Sequence, residues 1–376
     1  VKEGAAEKDT GPKRLTLIIA GRLDQLTGGY LYDRHVVAGL QALGVQVEVI
    51  GLDGRFPLPD DIARESLQRA LGGCTDGATV VLDGLAASAM PEVVAVHRQR
   101  LDLVALIHHP LGDETGMSDA QRERLLTLEC QTLDAVAGII VTSPFTRRRL
   151  IELGIDDARI DVVEPGVEPV ALSPAAGNPP RLLCIATLIP RKGQHLLVEA
   201  LAGLAQQGWH CDLIGDSERD TAYATRLHDL ITSHRLEARI SLHGALPFEQ
   251  LEAFWQAADV FVLPSFYEGY GMVVSEALAH GLPVVTTHGG ALADTLPAGA
   301  GLQIAPGDSE ALREALASLL GGDVKSRERY QKLREGAIAA RETFADWSSA
   351  ARLFHHALAR LVAQGRIVRQ RRMEQP

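Results

Sequence analysis

Several protein classes are excluded by what this sequence lacks. Its four cysteines, Cys74, Cys130, Cys184 and Cys211, are scattered, with no CxxC pair and no short His/Cys spacing, so neither a disulfide framework nor a zinc site is indicated. Cys184 and Cys211 fall inside apolar runs, where a thiol packs as a small hydrophobe, and a reducing, cytoplasmic setting is expected. Long apolar runs are missing too. Those at 15–20 and 103–107 are typical, and none approaches the ~18 residues that span a bilayer. No basic region followed by an apolar one opens the sequence, so no secretory signal is read. Residues 1–13 are charged and unpatterned and are expected to form a loose tail. Excess positive charge is absent: 37 Lys and Arg against 48 Asp and Glu leave a net charge of −11, which argues against general nucleic-acid binding. Two basic clusters run against this balance, Arg147 to Arg149 and Arg366, Arg369, Arg371 and Arg372. They read as solvated helix faces, with docking to an acidic acceptor or to membrane headgroups as the second reading.

What is present is a regular alternation. The 376 residues, 46% of them apolar, suit two domains with ordinary cores. Short β-rich runs at 15–20, 45–51, 79–83, 103–108, 138–142 and 160–163 are each followed by an amphipathic stretch or a loop. Strands buried on both faces look like this, and the alternation implies βαβ units and a parallel sheet. The series stops at 169–180, PVALSPAAGNPP, which reads as a linker. It resumes with runs at 182–187, 211–215, 240–243, 260–264, 283–287 and 302–304. The reading is therefore α/β: an N-terminal doubly wound domain over 14–170, a linker at 171–180 and a C-terminal one over 181–345. A ligand is expected at the strand C-terminal edges. Residues 346–376 read as a long helix that crosses back to the first domain.

The richest stretch is 264–283, PSFYEGYGMVVSEALAHGLP. A strand ends at Pro264, a loop turns through Gly269, Tyr270 and Gly271, and a helix opens at Met272 and Val273. Free N–H groups and the helix dipole at that point suit a diphosphate. Glu268 and Glu276 would repel it if they faced it, and fit better as acceptors from hydroxyl groups on either side. A helix start that simply carries acidic residues is the plainer alternative.

The spacing of Glu268 and Glu276, the preceding ADVFVLPS and the following EALAHGLPVVTT strongly resemble the E-x7-E signature of glycosyltransferase family 4. This is the retaining family with the GT-B fold of two Rossmann-like domains facing a central cleft. The resemblance extends over nearly the whole chain beyond residue 14. It implies that Glu268 contacts sugar hydroxyls and Glu276 the ribose. Gly28 and Gly29 look like the family's Gly-Gly loop, which lies against the distal phosphate. They depart from the GxGxxG of dinucleotide-binding domains. Arg191 and Lys192 in PRKG resemble its basic donor-phosphate motif. No Asp-x-Asp pair occurs, so a donor site without metal or other cofactor is expected. The chain departs from the family in carrying Ala186-Thr187-Leu188 where Gly-Arg-Leu is usual, which puts the phosphate grip in doubt unless Arg191 compensates. His108 stands where the family has a histidine near the transferred sugar; His109 is a weaker candidate. Gly215 and Ala245 correspond to loops lining the nucleotide base. Residues 164–168 resemble a turn before the linker and read as a hinge marker.

The resemblance thus implies transfer, with retention, from a UDP- or GDP-sugar to an acceptor hydroxyl, with Arg191 and Lys192 steadying the departing diphosphate. The acceptor, whether small molecule, glycan or lipid, is not announced by the loops at 53–60 and 110–118. No nucleic-acid partner and no transmembrane segment are expected. Two alternatives stand beside this: a nucleotide-sugar-binding protein without transfer, kept open by Thr187, and a GT-B-fold nucleotide-sugar epimerase.

Overall fold

A computed structural model of the chain describes residues 11–373. Within these, one compact unit comprises residues 11–25, 29–165 and 347–373, and a second comprises 26–28 and 166–346.

The first unit is built on six parallel strands, β1 (Arg14–Ala20), β2 (Gln46–Leu52), β3 (Thr79–Asp83), β4 (Asp102–Ile107), β5 (Gly138–Val141) and β6 (Ile160–Val162), in the order β2-β1-β3-β4-β5-β6. β3, β4 and β5 are buried along their whole length, as strands with helices on both faces must be, whereas the edge strand β2 alternates exposed and partly buried positions. The second unit has β7 (Arg181–Ile185), β8 (His210–Ile214), β9 (Ile240–Leu242), β10 (Val260–Leu263), β11 (Val284–Thr287) and β12 (Gly301–Ile304), in the order β12-β11-β10-β7-β8-β9, again all parallel. All twelve expected runs are strands, and their ends move by one or two residues. The trimming matters at His108 and Thr187, which lie beyond β4 and β7, in the loops where ligand groups are presented. The two sheets are the doubly wound pair of the GT-B fold.

Two expectations need correction. The stretch read as a linker is fastened to the second unit. Ser173 Oγ donates to the Ala258 carbonyl at 2.8 Å, Gly177 and Arg181 backbone N–H groups donate to Asp259, and Arg334 and Arg341 donate to the Ser173 and Val170 carbonyls. The chain therefore passes between units at 165/166, inside the turn read as a hinge marker. Pro, Ala and Gly mark a connection, but composition does not reveal the long-range partners that tie the segment down.

The basic clusters are not simply solvated faces either. Arg149 makes a two-pronged contact with the buried Asp113 at 2.8 and 3.0 Å, and Arg147 another with Asp157. Arg366 holds Asp102, which is 0% exposed, at 2.5–2.8 Å. The side chains of Arg369, Arg371 and Arg372 lie outside the described residues. Arg366 belongs to the helix Trp347–Met373, which packs Ala351, Phe354, Leu358 and Leu361 into the first unit and adds an Arg360–Asp161 pair. The expected loose tail at 1–13 lies mostly outside the described residues. No described helix is long and apolar enough to cross a membrane.

Candidate functional site

In an open parallel sheet, ligand groups gather where the strand order reverses, beyond the C-terminal strand ends. In the second unit the reversal falls between β7 and β10. The turn after β7, Pro190–Lys192, carries Arg191 and Lys192, and the loop after β10 carries Glu268. Lys192 Nζ lies 2.5 Å from Glu268 Oε1, Arg191 reaches Oε2 at 3.4 Å and the Tyr267 carbonyl at 2.6 Å, and Ser265 Oγ donates to Oε1 at 2.7 Å. Burial alone would push the Glu268 carboxyl up, but Lys192 and Arg191 overcome it and hold the group down to about 2. Glu268 is thus a fixed anion between two cations. Arg191 turns toward this loop, where the expected phosphate grip has to be made, while Thr187 is bound through its carbonyl by Gln194.

The same loop turns into the helix Met272–Ala279 at Gly271, whose φ of +91° is left-handed and whose absent Cβ would meet Leu292 at 2.7 Å. The N–H groups of Met272 and Val273 open this helix free of intrahelical partners. Glu276, one turn further, is half-buried, and burial pushes its carboxyl up to about 7. Gly215 and Ala245 follow β8 and β9 on the same edge, and Gly215 N–H donates to the Gly244 carbonyl at 2.8 Å. The second-unit candidates therefore converge on one sheet edge.

In the first unit the reversal falls between β1 and β3. His108, just past β4, has its Nε2 3.3 Å from Asp33 Oδ1 and 3.5 Å from Asp83 Oδ2. A Cβ on Gly29 would come 3.2 Å from the His108 ring, so glycine there lets the helix Gly28–Ala42 start against the imidazole, whereas at Gly28 a Cβ would meet nothing within 4 Å. Thr142 and Thr146 hydroxyls donate to the His108 carbonyl, and Tyr32 packs edge-on against the ring at 5.4 Å. His109 stands apart from this cluster, facing Glu114 at 3.6 Å.

Asp33 and Asp83 were not among the expected site residues, although signals for both exist. Tyr30, Asp33, Val37 and Leu40 share one helical stripe, and all are buried, so Asp33 is a charge placed on an apolar face. Asp83 closes an otherwise apolar strand at its ligand-presenting end.

Two family models cover most of the chain without overlap: the "Glycosyltransferase Family 4" model matches residues 32–170, and the "Glycosyl transferases group 1" model matches 172–338. The chain belongs to glycosyltransferase family 4. The second model contains Arg191, Lys192, Glu268 and Glu276, and the first contains Asp33, Asp83 and His108 but stops short of Gly28 and Gly29. Among relatives, the amylovoran biosynthesis glycosyltransferase AmsK of Erwinia amylovora is 30% identical over 198 residues, 49% of this chain and 48% of that protein. The D-inositol 3-phosphate glycosyltransferase of Kineococcus radiotolerans is 32% identical over 184 residues, 44% of this chain and 42% of that one. The alignments thus span about half the length of these relatives. The sucrose-phosphate synthase of Thermosynechococcus elongatus shares the fold with a TM-score of 0.75 at 23% identity, covering 93% of this chain and 99% of that one. HepE of Anabaena, solved with UDP and glucose, superposes with a TM-score of 0.72 at 20% identity over 92% and 99% of the two chains. This family 4 member therefore shares the GT-B architecture with both.

Proposed function

We propose that the chain is a retaining glycosyltransferase that moves a sugar from a UDP- or GDP-sugar to an acceptor hydroxyl without a metal ion. The observation that carries this reading is the grouping of Arg191, Lys192 and Glu268 at the β7/β10 reversal, beside the N-terminus of the helix Met272–Ala279. Two fixed cations and free helix N–H groups can take up the charge of a departing diphosphate in place of a metal. Glu268, held ionised, accepts from sugar hydroxyls through lone pairs its protein partners leave over. Glu276 accepts from the ribose diol in the same way. The UDP found in the HepE structure supports a uridine nucleotide as the first to test.

In the reaction, the bond from the anomeric carbon to the diphosphate oxygen breaks and its electron pair stays on that oxygen. The acceptor oxygen attacks the same face through an oxocarbenium-like state, and its proton passes to the departing phosphate oxygen. Arg191 and Lys192 hold the leaving group.

A thermal-shift panel of UDP, GDP, ADP and their sugars in EDTA tests the donor site. A ligand at ~100 times its Kd stabilises by ~2.7 kcal/mol, a shift of a few degrees. One nucleotide shifting the protein in EDTA, with turnover of its sugar, supports the reading. A shift obtained only with a divalent cation sinks its metal-free part. A second reading, donor binding without transfer, is favoured by Thr187 in place of the family's arginine. It predicts a shift with neither transfer nor hydrolysis.

A further inference from the structure

Asp33 and Asp83 are 2% and 4% exposed, and both aim a carboxylate oxygen at one nitrogen of His108. They come from different elements, the helix after β1 and the end of β3, so local sequence does not account for their meeting. Nε2 is itself buried, as is Asp33 Oδ1, and neither has a well-aligned hydrogen-bond partner among the described residues. The ring as a whole keeps 20% of its surface open, which leaves Nδ1 as the accessible nitrogen.

We propose that Asp33 and Asp83 are positioning residues for His108: they hold its Nε2 edge inward and keep the imidazole cationic, so that Nδ1–H is a charged donor to a substrate oxygen at this sheet edge. This rests on the glycosyltransferase reading for the identity of the ligand, but not for the state of the ring.

Charge balance supports it. Two ionised aspartates beside a neutral imidazole would bury two negative charges with no fixed cation, an arrangement a low-dielectric site disfavours. One proton on His108 and one on the aspartates relieve this. Burial, joined by Asp33, pushes Asp83 up to about 7. Burial pulls His108 down, but Asp33 and Asp83 outweigh it and raise the ring above its usual value. The other polar neighbours add no competing charge. Tyr32 is a phenol pushed well up by burial and donating to the Val163 carbonyl, and Thr142 and Thr146 are neutral. On the following loop His109 faces Glu114, and Trp347 from the C-terminal helix meets Tyr32 and stacks on His35. Sequence alone gives His108 at a strand end; the paired aspartates turn that into a charged donor with a defined outward nitrogen.

The test uses the full chain. Imidazole NMR, with the His108 signal assigned through His108→Gln, follows the titration of both ring nitrogens without donor. Asp33→Asn is the main variant, because Asp83 also accepts from Ala86 N–H at the start of a short helix. The expected result is a wild-type pKa above 6.5 that falls by about one pH unit or more in Asp33→Asn. In transfer assays the alkaline limb of kcat/KM should move toward acid by the same amount. An unmoved NMR titration in Asp33→Asn overturns the proposal, as does a kcat lowered evenly at every pH with the limb in place, which is the signature of a merely structural role. Saturable binding of one Mn²⁺, lost in Asp33→Asn, would also overturn it by making the cluster a metal site. If the NMR result holds but no sugar nucleotide is turned over, the glycosyltransferase reading fails instead.

Discussion

The two units solve the same topological problem with opposite electrostatics. Each is a six-stranded parallel sheet that reverses its order once, and each places its polar groups at that reversal. In the second unit one buried carboxylate, Glu268, meets two permanent cations and a serine hydroxyl. In the first, two buried carboxylates meet a single imidazole. The Arg191, Lys192 and Glu268 cluster carries a net positive charge and suits an anion. The charge of the first is set by protons, which suits a group that must be adjusted rather than merely attractive. Under the proposed function, this division fits phosphate binding in the second unit and a titratable contact in the first.

The sharpest way to break this comparison is to remove the permanent charge. Lys192→Ala should lower kcat/KM by ~10²–10³, the scale of losing one preorganised electrostatic donor, and should abolish the nucleotide-induced thermal shift. If transfer survives within ten-fold, the second site is not the diphosphate site. Glu268→Gln should behave differently, keeping the nucleotide shift because both cations remain, while transfer falls.

Next in size is a stability effect that contrasts a permanent cation with the imidazole. Arg366 is 59% exposed but covers Asp102, which is 0% exposed. Arg366→Ala should cost about 2–3 kcal/mol by removing the charged partner of that buried carboxylate, somewhat less than a fully buried pair because solvent reaches the arginine side. Chemical denaturation checks this, and Asp102→Asn in the same chain should recover most of the loss. No recovery would mean the helix Trp347–Met373 is held by its apolar face alone.

How much of this was legible follows from how each part is encoded. The strands were readable because burial on both faces writes a continuous apolar run. The second-unit site was readable because Arg191 and Lys192 are adjacent and Glu268 through Glu276 share one loop and helix. Asp33, Asp83 and His108 are separated by 50 and 25 residues, and only the sheet order brings them together. The fastening of 166–180 was hidden for the same reason: its partners, Ala258, Asp259 and His280, are 82 to 107 residues away.

The pH dependence of stability separates two carboxyls of opposite environment. Glu268 sits at about 2 against an ordinary 4.5, so its contribution is present above pH 4.5 and is lost as pH falls toward 2. Glu129 in the first unit is fully buried beneath the loop at 110–118 and accepts from Leu111 N–H at 3.0 Å, and burial pushes it up to about 8. Its folded form keeps a proton that the unfolded chain releases, so its contribution declines as pH rises from 4.5 to 8. Denaturation across pH should show Glu268→Gln flattening the limb below pH 4.5 and Glu129→Gln the one between pH 4.5 and 8. If both variants flatten the same limb, the assignment of opposite charge states is wrong.

The smallest expected effect belongs to Glu276, the second-unit carboxyl without a fixed cation beside it. Burial pushes it up to about 7, so at neutral pH it is divided between acid and carboxylate. Only the carboxylate can accept from both hydroxyls of a ribose diol, and hydrogen bonds to a charged acceptor exceed those to a neutral one by about 1 kcal/mol. Donor affinity should therefore tighten by about three- to four-fold as pH rises from 6 to 8. The ligand has to be an intact nucleotide sugar, because its diphosphate is esterified at both ends and does not itself titrate in that window, whereas a free nucleoside diphosphate does. Calorimetry at the two pH values measures the change, and Glu276→Gln should bind more weakly and lose this tightening with pH. If that variant keeps the pH dependence, the titrating group lies elsewhere. That group is not His108, because losing its proton would weaken binding as pH rises.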